Sequence, residues 1–274
     1  MAEKEMSFLD HLEELRWHLV RSFSAIFIIA IIVFVYIQFF FDEILLAHLK
    51  PDFATYEFFC NAFASVGVDS SFCNISLDQT LQSVNPTQQL MTAIWSSLII
   101  GFIIAFPYIL WEIWRFIAPG LLENERKKSK GFIFYTSFLF FLGVLFSYFV
   151  IIPLSVYFFY NFQISDKVQN IFKVDAYISL VTNTLIGVAL FFELPIIIFF
   201  LTKIGLVTPE FLKKYRKHAL VLVLILSAII TPPDIASQII VAVPIMFLYE
   251  IGIYVSKYVL KKEQKNVKQS PRVQ

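Results

Sequence analysis

The chain of 274 residues is 58% hydrophobic and only 16% charged, with 32 phenylalanines, 12 tyrosines and 4 tryptophans. Soluble domains carry about 25% charged residues, so this composition excludes a soluble globular domain as well as a disordered chain. The net charge of +1 gives no overall field that would attract nucleic acid. The composition therefore indicates a polytopic membrane protein.

Four long apolar runs are each sufficient to cross a bilayer, whose hydrocarbon core requires about 20 helical residues. They predict spans over 22–41, 90–111, 132–158 and 176–201. Two further spans are predicted over 216–232 and 236–256, on apolar runs of 15 residues each that Asp234 separates. Because such a run covers only about 22 Å as a helix, we expect these last two spans to be short. The sequence thus predicts an all-α membrane protein of six transmembrane helices.

Lysine and arginine are distributed unevenly between the segments that connect these spans. From the N-terminal to the C-terminal segment their counts are 3, 1, 5, 2, 5, 0 and 6, which places 19 of the 22 on one side. The positive-inside rule then predicts that both termini are cytoplasmic. A re-entrant hairpin in place of the last two spans would give the same charge pattern. We interpret residues 1–258 as one membrane domain and residues 259–274 as a basic, flexible cytoplasmic tail.

Both cysteines, Cys60 and Cys73, lie in the long outside loop between the first two spans. That compartment permits disulfides, and no third cysteine competes for either thiol. From the sequence, a bridge between the two and a pair of free thiols both remain open.

Two cytoplasmic glutamates stand out from their surroundings. Glu14 lies on the polar face of an amphipathic helical segment that precedes the first span. This segment is interpreted either as an interfacial anchor or as a surface that offers Glu14 to the cytoplasm. Glu125 lies beside three cations, Arg126, Lys127 and Lys128. Such a cluster suits a cationic ligand and ordinary solvation equally.

Three polar residues fall within or between the apolar runs. Glu193 lies in the fourth run, where an ionisable group costs about 3 kcal/mol on insertion scales and is expected to face the protein interior or a wet cavity. A functional role and a satisfied packing role are both open for it. Asp234 follows Thr-Pro-Pro and suits an N-cap. Gln238 enters a short apolar helix, where a buried amide seeks a partner on a neighbouring helix.

Motifs for nucleotide binding or hydrolysis are absent from the sequence. It contains no P-loop, G-x-S-x-G or G-x-G-x-x-G, and no span carries a pair of acidic residues. We therefore expect neither an enzyme nor a cofactor. A proton-coupled transporter of small solutes, with Glu193 as its proton carrier, remains the alternative function.

Four sequence blocks resemble those of the TatC family, the multi-spanning receptor of the twin-arginine protein translocase. The blocks are HLEELR (His11–Arg16), WRFIAPGL with ENER (Trp114–Arg126), FELP (Phe192–Pro195), and ITPPDIASQ (Ile230–Gln238) followed by PIMFLYEIGI (Pro244–Ile253). They extend over nearly the whole chain. The resemblance implies a subunit of the bacterial cytoplasmic membrane that exports folded proteins with the energy of the proton gradient.

The resemblance also implies roles for individual residues. Glu14 and Glu125, with Phe116 and Arg16 in the same cytoplasmic patch, would bind the arginine pair of a signal peptide. A second set, Glu193, Asp234 and Gln238, would contact single-span partners similar to TatA and TatB. The family further implies a homo-oligomer within a larger complex. Glu112 is a departure, because some relatives carry a neutral amide there; it adds a negative charge near Phe116, and the resemblance implies no role for it.

Overall fold

In the computed structural model the described part of the chain is almost entirely helical. The structure describes residues 8–65, 81–118, 129–165, 167, 171–230 and 235–269. The helices in chain order are α1 (Phe8–Val35), α2 (Ala54–Ser65), α3 (Gln88–Ile117), α4 (Ser129–Phe146), α5 (Ile152–Asn161), α6 (Val174–Phe192), α7 (Leu194–Lys203), α8 (Pro209–Lys214), α9 (Arg216–Ile230) and α10 (Ile235–Gln269). A π-helical turn, Ser147–Ile151, joins α4 to α5.

Five stretches of the described chain are long and apolar enough to cross a membrane. They are Leu12–Val35, Gln88–Ile117, Ile133–Asn161, Val174–Lys203 and Gln238–Lys262. The sixth apolar helix is α9, with 15 residues. The predicted all-α membrane fold is confirmed, with α9 as its short helix. The last helix is longer than expected: α10 continues to Gln269 without a break, and its membrane-spanning stretch, Gln238–Lys262, has 25 residues.

The described helices divide into two compact units. The first contains α1, α3, the first part of α4 and the start of α6, and the second contains α2, the rest of α4 and α6, and α5 with α7 to α10. The second unit has an apolar core of eight buried residues, namely Ile151, Val188, Phe192, Val223, Val241, Ala242, Ile245 and Leu248. In a bilayer such a core is held together by van der Waals packing between the helices, because lipid chains are as apolar as these side chains.

Within the first unit, α1 and α3 pack as an antiparallel pair at close range. A Cβ atom added to Gly101 would lie 3.0 Å from the backbone nitrogen of Ala30 and 3.0 Å from the carbonyl oxygen of Ile26. Glycine therefore permits the two backbones to approach at this level, as small residues do in membrane helix pairs. At the other end of the pair, His18 contacts Glu112. These two contacts fix which residues of α1 and α3 lie opposite each other.

Within the second unit, α2 and the segment before it are tied down by polar contacts. The Tyr56 hydroxyl donates to the carbonyl oxygen of His48 at 2.9 Å and to that of Pro153 at 3.3 Å. Burial of this phenol raises the pKa of Tyr56 above its ordinary value. On the same helix Cys60 is disulfide-bonded. The other cysteine of the chain, Cys73, lies outside the described residues.

Candidate functional site

The polar end of the α1–α3 pair is organised around one buried carboxylate. Glu112 is 1% exposed, and the Nδ1–H of buried His18 donates to its Oε2 at 2.5 Å. Arg115, one turn further along α3, donates to Oε1 at 3.3 Å. Arg21 of α1 lies 3.8 Å from Oε2, and the Tyr108 hydroxyl hydrogen bonds to the same carboxylate. Four polar neighbours from two helices thus converge on Glu112 and hold α1 against α3.

Glu14 lies one helical turn before His18 on α1. Its side chain is half-buried, and its Oε2 is buried without a hydrogen-bond partner among the described residues. Phe116 lies one turn after Glu112 on α3, and its ring contacts His18 edge-on at a centroid distance of 6.1 Å. Because α1 and α3 are antiparallel, Glu14 and Phe116 fall at the same level of the pair. The structure therefore brings these two predicted site residues to one end of the first unit.

Arg16 is on the exposed face of α1. Its guanidinium pairs with Glu13 at 3.2 Å, and both side chains are mostly exposed. Such exposed pairs contribute little to stability. Helix α1 runs without interruption from this segment into the apolar span, so the segment is not a separate anchor lying in the membrane surface. Glu125 lies outside the described residues, as does Asp234.

Glu193 lies at a break between two helices of the second unit. Helix α6 ends at Phe192, Glu193 occupies the N-cap position of α7, and Pro195 stands in the first turn of α7. The side chain is 7% exposed, and neither carboxylate oxygen has a hydrogen-bond partner in the described part of the chain. Proline ends the ladder of α6 because it lacks the N–H that the ladder requires. A buried acid therefore sits beside freed backbone groups.

Gln238 connects the last two helices. Its amide nitrogen donates a 2.7 Å hydrogen bond to the carbonyl oxygen of Leu224 on α9, which supplies a partner on the neighbouring helix. A second link lies at the start of α9, where Arg216 donates to Glu250 of α10 at 2.6 Å. Both links fix α9 against α10, one at the first residue of the short helix and one near its middle.

The cluster around Glu112 was not predicted from the sequence. Glu112 stood out there only as a departure from some relatives, and no role was predicted for His18. Nothing in the spacing of either residue indicates the other, since 94 positions separate them. Once α1 and α3 are known to pack as an antiparallel pair, the sequence positions of His18 and Glu112 place both residues at the same end of that pair.

The helices and the polar residues among them define a multi-pass, all-α membrane protein. The family model described as Sec-independent protein translocase protein (TatC) matches residues 10–244. Among curated proteins, the chain is 44% identical over 263 residues to the TatC protein of Blattabacterium sp. subsp. Periplaneta americana (strain BPLAN), covering 95% of this chain and 98% of that protein. It is 33% identical over 260 residues to TatC of Aquifex aeolicus, covering 94% and 98%.

Solved structures agree with these sequence matches. A crystal structure of the twin-arginine translocase receptor TatC aligns with a TM-score of 0.70 at 31% identity, covering 91% of this chain and 99% of that one. A second crystal structure of that receptor aligns with a TM-score of 0.73 at 33% identity, covering 90% and 99%. The chain therefore belongs to the TatC family of Sec-independent protein translocase components. It is a multi-pass protein of the bacterial cytoplasmic membrane and a subunit of the Tat translocase.

Proposed function

We propose that this chain is the non-enzymatic receptor of its translocase, and that it binds the arginine pair of twin-arginine signal peptides. The observation that carries the proposal is the half-buried carboxylate of Glu14, whose Oε2 has no hydrogen-bond partner among the described residues. A buried acceptor without a partner is unfavourable by about 1–3 kcal/mol, and a guanidinium donor would satisfy it. Phe116 at the same level supplies an aromatic edge beside the ligand.

Arginine suits this site better than lysine for a geometric reason. A guanidinium presents five N–H donors in a planar fork that matches a carboxylate with two parallel bonds, whereas an ammonium acts as a point charge. Glu125 is proposed as the second carboxylate, so that each arginine of the pair has its own acceptor. Arg16, already paired with Glu13, is proposed to border the patch and not to hold the peptide.

Orientation follows from the same assignment. We propose that both termini and the Glu14 patch face the cytoplasm, as the lysine and arginine distribution favours. The loop that carries Cys60 then lies outside, where disulfides persist, and Cys73 is its proposed partner. The tail from residue 259 would accordingly be cytoplasmic.

The second unit is proposed to receive the partner subunits. Glu193 offers two carboxylate oxygens that are unpartnered among the described residues, and Gln238 lies in the first turn of α10. Asp234, which precedes α10 in the sequence, is proposed to belong to the same docking region. Single-span proteins similar to TatA and TatB would bring a polar group to this face. We further propose that several copies of the chain assemble in the complex and that the proton gradient drives export, since the sequence contains no nucleotide-binding motif.

Export of a folded reporter tests this function in cells. A fluorescent protein with a twin-arginine signal is produced in bacteria whose own receptor is deleted and replaced by this chain with its partners. We expect export with the wild-type chain, and a block when the arginine pair is replaced by lysines or the proton gradient is collapsed. Glu14→Gln should block export, while Glu13→Gln, a neighbouring carboxylate on the exposed face, should not. Equal export of arginine and lysine signals would contradict the proposal.

A proton-coupled solute transporter is the second candidate, and the buried, unpartnered Glu193 is the observation that favours it. This function requires the chain alone to move a solute. Uptake by liposomes that contain only this chain, driven by an imposed proton gradient and lost in Glu193→Gln, would support the transporter and contradict the receptor.

A further inference from the structure

A groove opens on the surface of the α1–α3 pair, apart from Glu14. Its volume is about 360 Å³, and it is lined by Trp17, Val20, Arg21, Ser24, Ala25, Ile28 and Tyr108. Six of the seven lining residues belong to α1, where they occupy one face over three turns. Glu14 precedes Arg21 by two turns, about 10 Å along the helix axis. The groove therefore begins beside the proposed signal-binding patch, at Trp17, and extends away from it along α1.

The polar end of this groove carries an excess of positive charge. Arg21 and Arg115 share the single carboxylate of Glu112, and guanidinium groups stay protonated in proteins. His18 is the remaining titratable neighbour of that carboxylate, and it adds positive charge when protonated. The cluster is thus at least +1 in formal charge.

Arg21 itself is only loosely engaged. Its side chain is 48% exposed, and its contact with Glu112 is 3.8 Å long. Within the part of the chain that the structure describes, its guanidinium makes no hydrogen bond. Its N–H groups are therefore available to an anion at the mouth of the groove.

Aromatic and apolar groups surround Arg21. Trp17 is 52% exposed and Tyr108 is 37% exposed, and these two residue types concentrate where hydrocarbon meets water. Beyond Arg21 the groove continues along Ser24, Ala25 and Ile28 into the apolar part of α1. Only 22% of the α1 span is buried in the structure, the lowest share of the five candidate spans among the described residues. The face is therefore covered by lipid or by another membrane component.

We propose that this groove binds one anionic phospholipid, with its phosphate at Arg21 and an acyl chain along Ser24, Ala25 and Ile28. The charge of the cluster decides between occupants. The arginine pair of a signal peptide finds its carboxylate at Glu14, about 10 Å from Arg21, and would be repelled at Arg21 itself. An apolar helix would bury Arg21 without a full counter-ion, which is strongly unfavourable. A lipid phosphate supplies the missing negative charge and leaves the aromatic side chains at the headgroup level.

Lipid retention on the purified full-length chain tests the site. The protein is exchanged into detergent that contains dioleoyl-phosphatidylglycerol or dioleoyl-phosphatidylcholine, and bound lipid is counted by native mass spectrometry. We expect phosphatidylglycerol to bind about fivefold more tightly, the effect of roughly one basic residue at a membrane surface. Arg21→Gln should remove this preference. Arg216→Gln is the matched control, because that arginine is 47% exposed and is also paired with a glutamate.

Further experiments distinguish a bound phospholipid from free phosphate, and a lipid in the groove from a protein segment. Inorganic phosphate at millimolar concentration should not displace phosphatidylglycerol, since it lacks the acyl chain. Ala25→Trp, which fills the groove without changing charge, should reduce retention while the melting temperature stays near that of wild type. A photoreactive residue in place of Ile28 should form lipid adducts in cells.

Several outcomes would overturn the proposal. These are equal binding of the two lipids, an equal loss of preference in Arg21→Gln and Arg216→Gln, displacement by inorganic phosphate, or full retention of phosphatidylglycerol by a folded Ala25→Trp variant. Protein-sized adducts at position 28 would likewise assign the groove to a second copy of the chain or to a partner helix.

Discussion

At the scale of single residues, Glu112 is the clearest case for a test. It is 1% exposed and is contacted by polar side chains of two helices, so replacing it should change the stability of the α1–α3 pair. Glu112→Gln keeps the shape but leaves Arg21 and Arg115 without their counter-ion. His18→Ala removes the 2.5 Å contact to this carboxylate. Because the two residues are in direct contact, their effects should not add.

We expect each substitution to lower thermal stability in detergent, with a coupling of about 1–3 kcal/mol in a double-mutant cycle. The measurement is the melting temperature of the wild type, the two single variants and the double variant. The exposed pair Glu13–Arg16 is the matched control, and its cycle should give a coupling below about 1 kcal/mol. Equal coupling energies in the two cycles would show that the buried His18–Glu112 pair stabilises the chain no more than an exposed pair does.

Glu193 should behave in the opposite way, because its carboxylate has no hydrogen-bond partner in the described residues. Removing a buried polar group that lacks a partner relieves a penalty of about 1–3 kcal/mol. We therefore expect Glu193→Leu to leave the melting temperature of the isolated chain unchanged or higher, while copurification of single-span partners and export are lost. A Glu193→Leu variant with a lower melting temperature and full export would contradict both the absence of a hydrogen-bond partner for Glu193 among the described residues and its proposed role in docking.

At the scale of helices, two glycines of the second unit make contrasting tests of close packing. A Cβ at Gly143 of α4 would lie 2.8 Å from the Cα of Ala189 and 2.9 Å from the Cβ of Phe192, both parts of α6 that cannot move alone. A Cβ at Gly252 of α10 would meet the Cδ1 of Ile198, the far end of a flexible side chain.

We therefore expect Gly143→Ala to destabilise the chain by about 1–3 kcal/mol, the usual effect of overpacking. Gly252→Ala should be close to neutral, because Ile198 can change rotamer and alanine favours the helix by about 1 kcal/mol relative to glycine. Melting temperatures of the two variants in the same detergent provide the comparison. A larger loss for Gly252→Ala than for Gly143→Ala would contradict the packing of α4 against α6.

The membrane-spanning helices could be predicted from the sequence because their positions depend on hydropathy alone. Long charge-free runs produce helices in a bilayer because every backbone group must be satisfied internally, which is why six apolar helices and a short α9 could be expected. Details within the helices were not predictable in this way. The π-helical turn Ser147–Ile151 and the continuation of α10 to Gln269 depend on packing and on local backbone geometry, which hydropathy does not report.

At the scale of the whole molecule, family membership could be inferred from four sequence blocks, and the family model and relatives support it. The candidate site could be predicted only in part. Glu14 and Phe116 were both named, but their common level depends on the His18–Glu112 contact. That contact joins residues far apart in sequence, and its partners are chosen by the packing of α1 on α3. Propensity and spacing along the chain carry no information about that choice.

The measurement that tests the central claim most directly is the affinity of the purified chain for a signal peptide. A labelled peptide with an arginine pair is titrated onto the chain in lipid nanodiscs, beside a peptide with a lysine pair. Losing a hydrogen-bonded charged contact weakens binding by about 1.5–3 kcal/mol, so we expect the lysine peptide to bind at least about tenfold more weakly.

Glu14→Gln should remove the preference for arginine, and Glu13→Gln should retain it, because Glu13 is exposed and already paired with Arg16. Equal affinities for the two peptides, unchanged by Glu14→Gln, would contradict the receptor function and leave only the fold and the family.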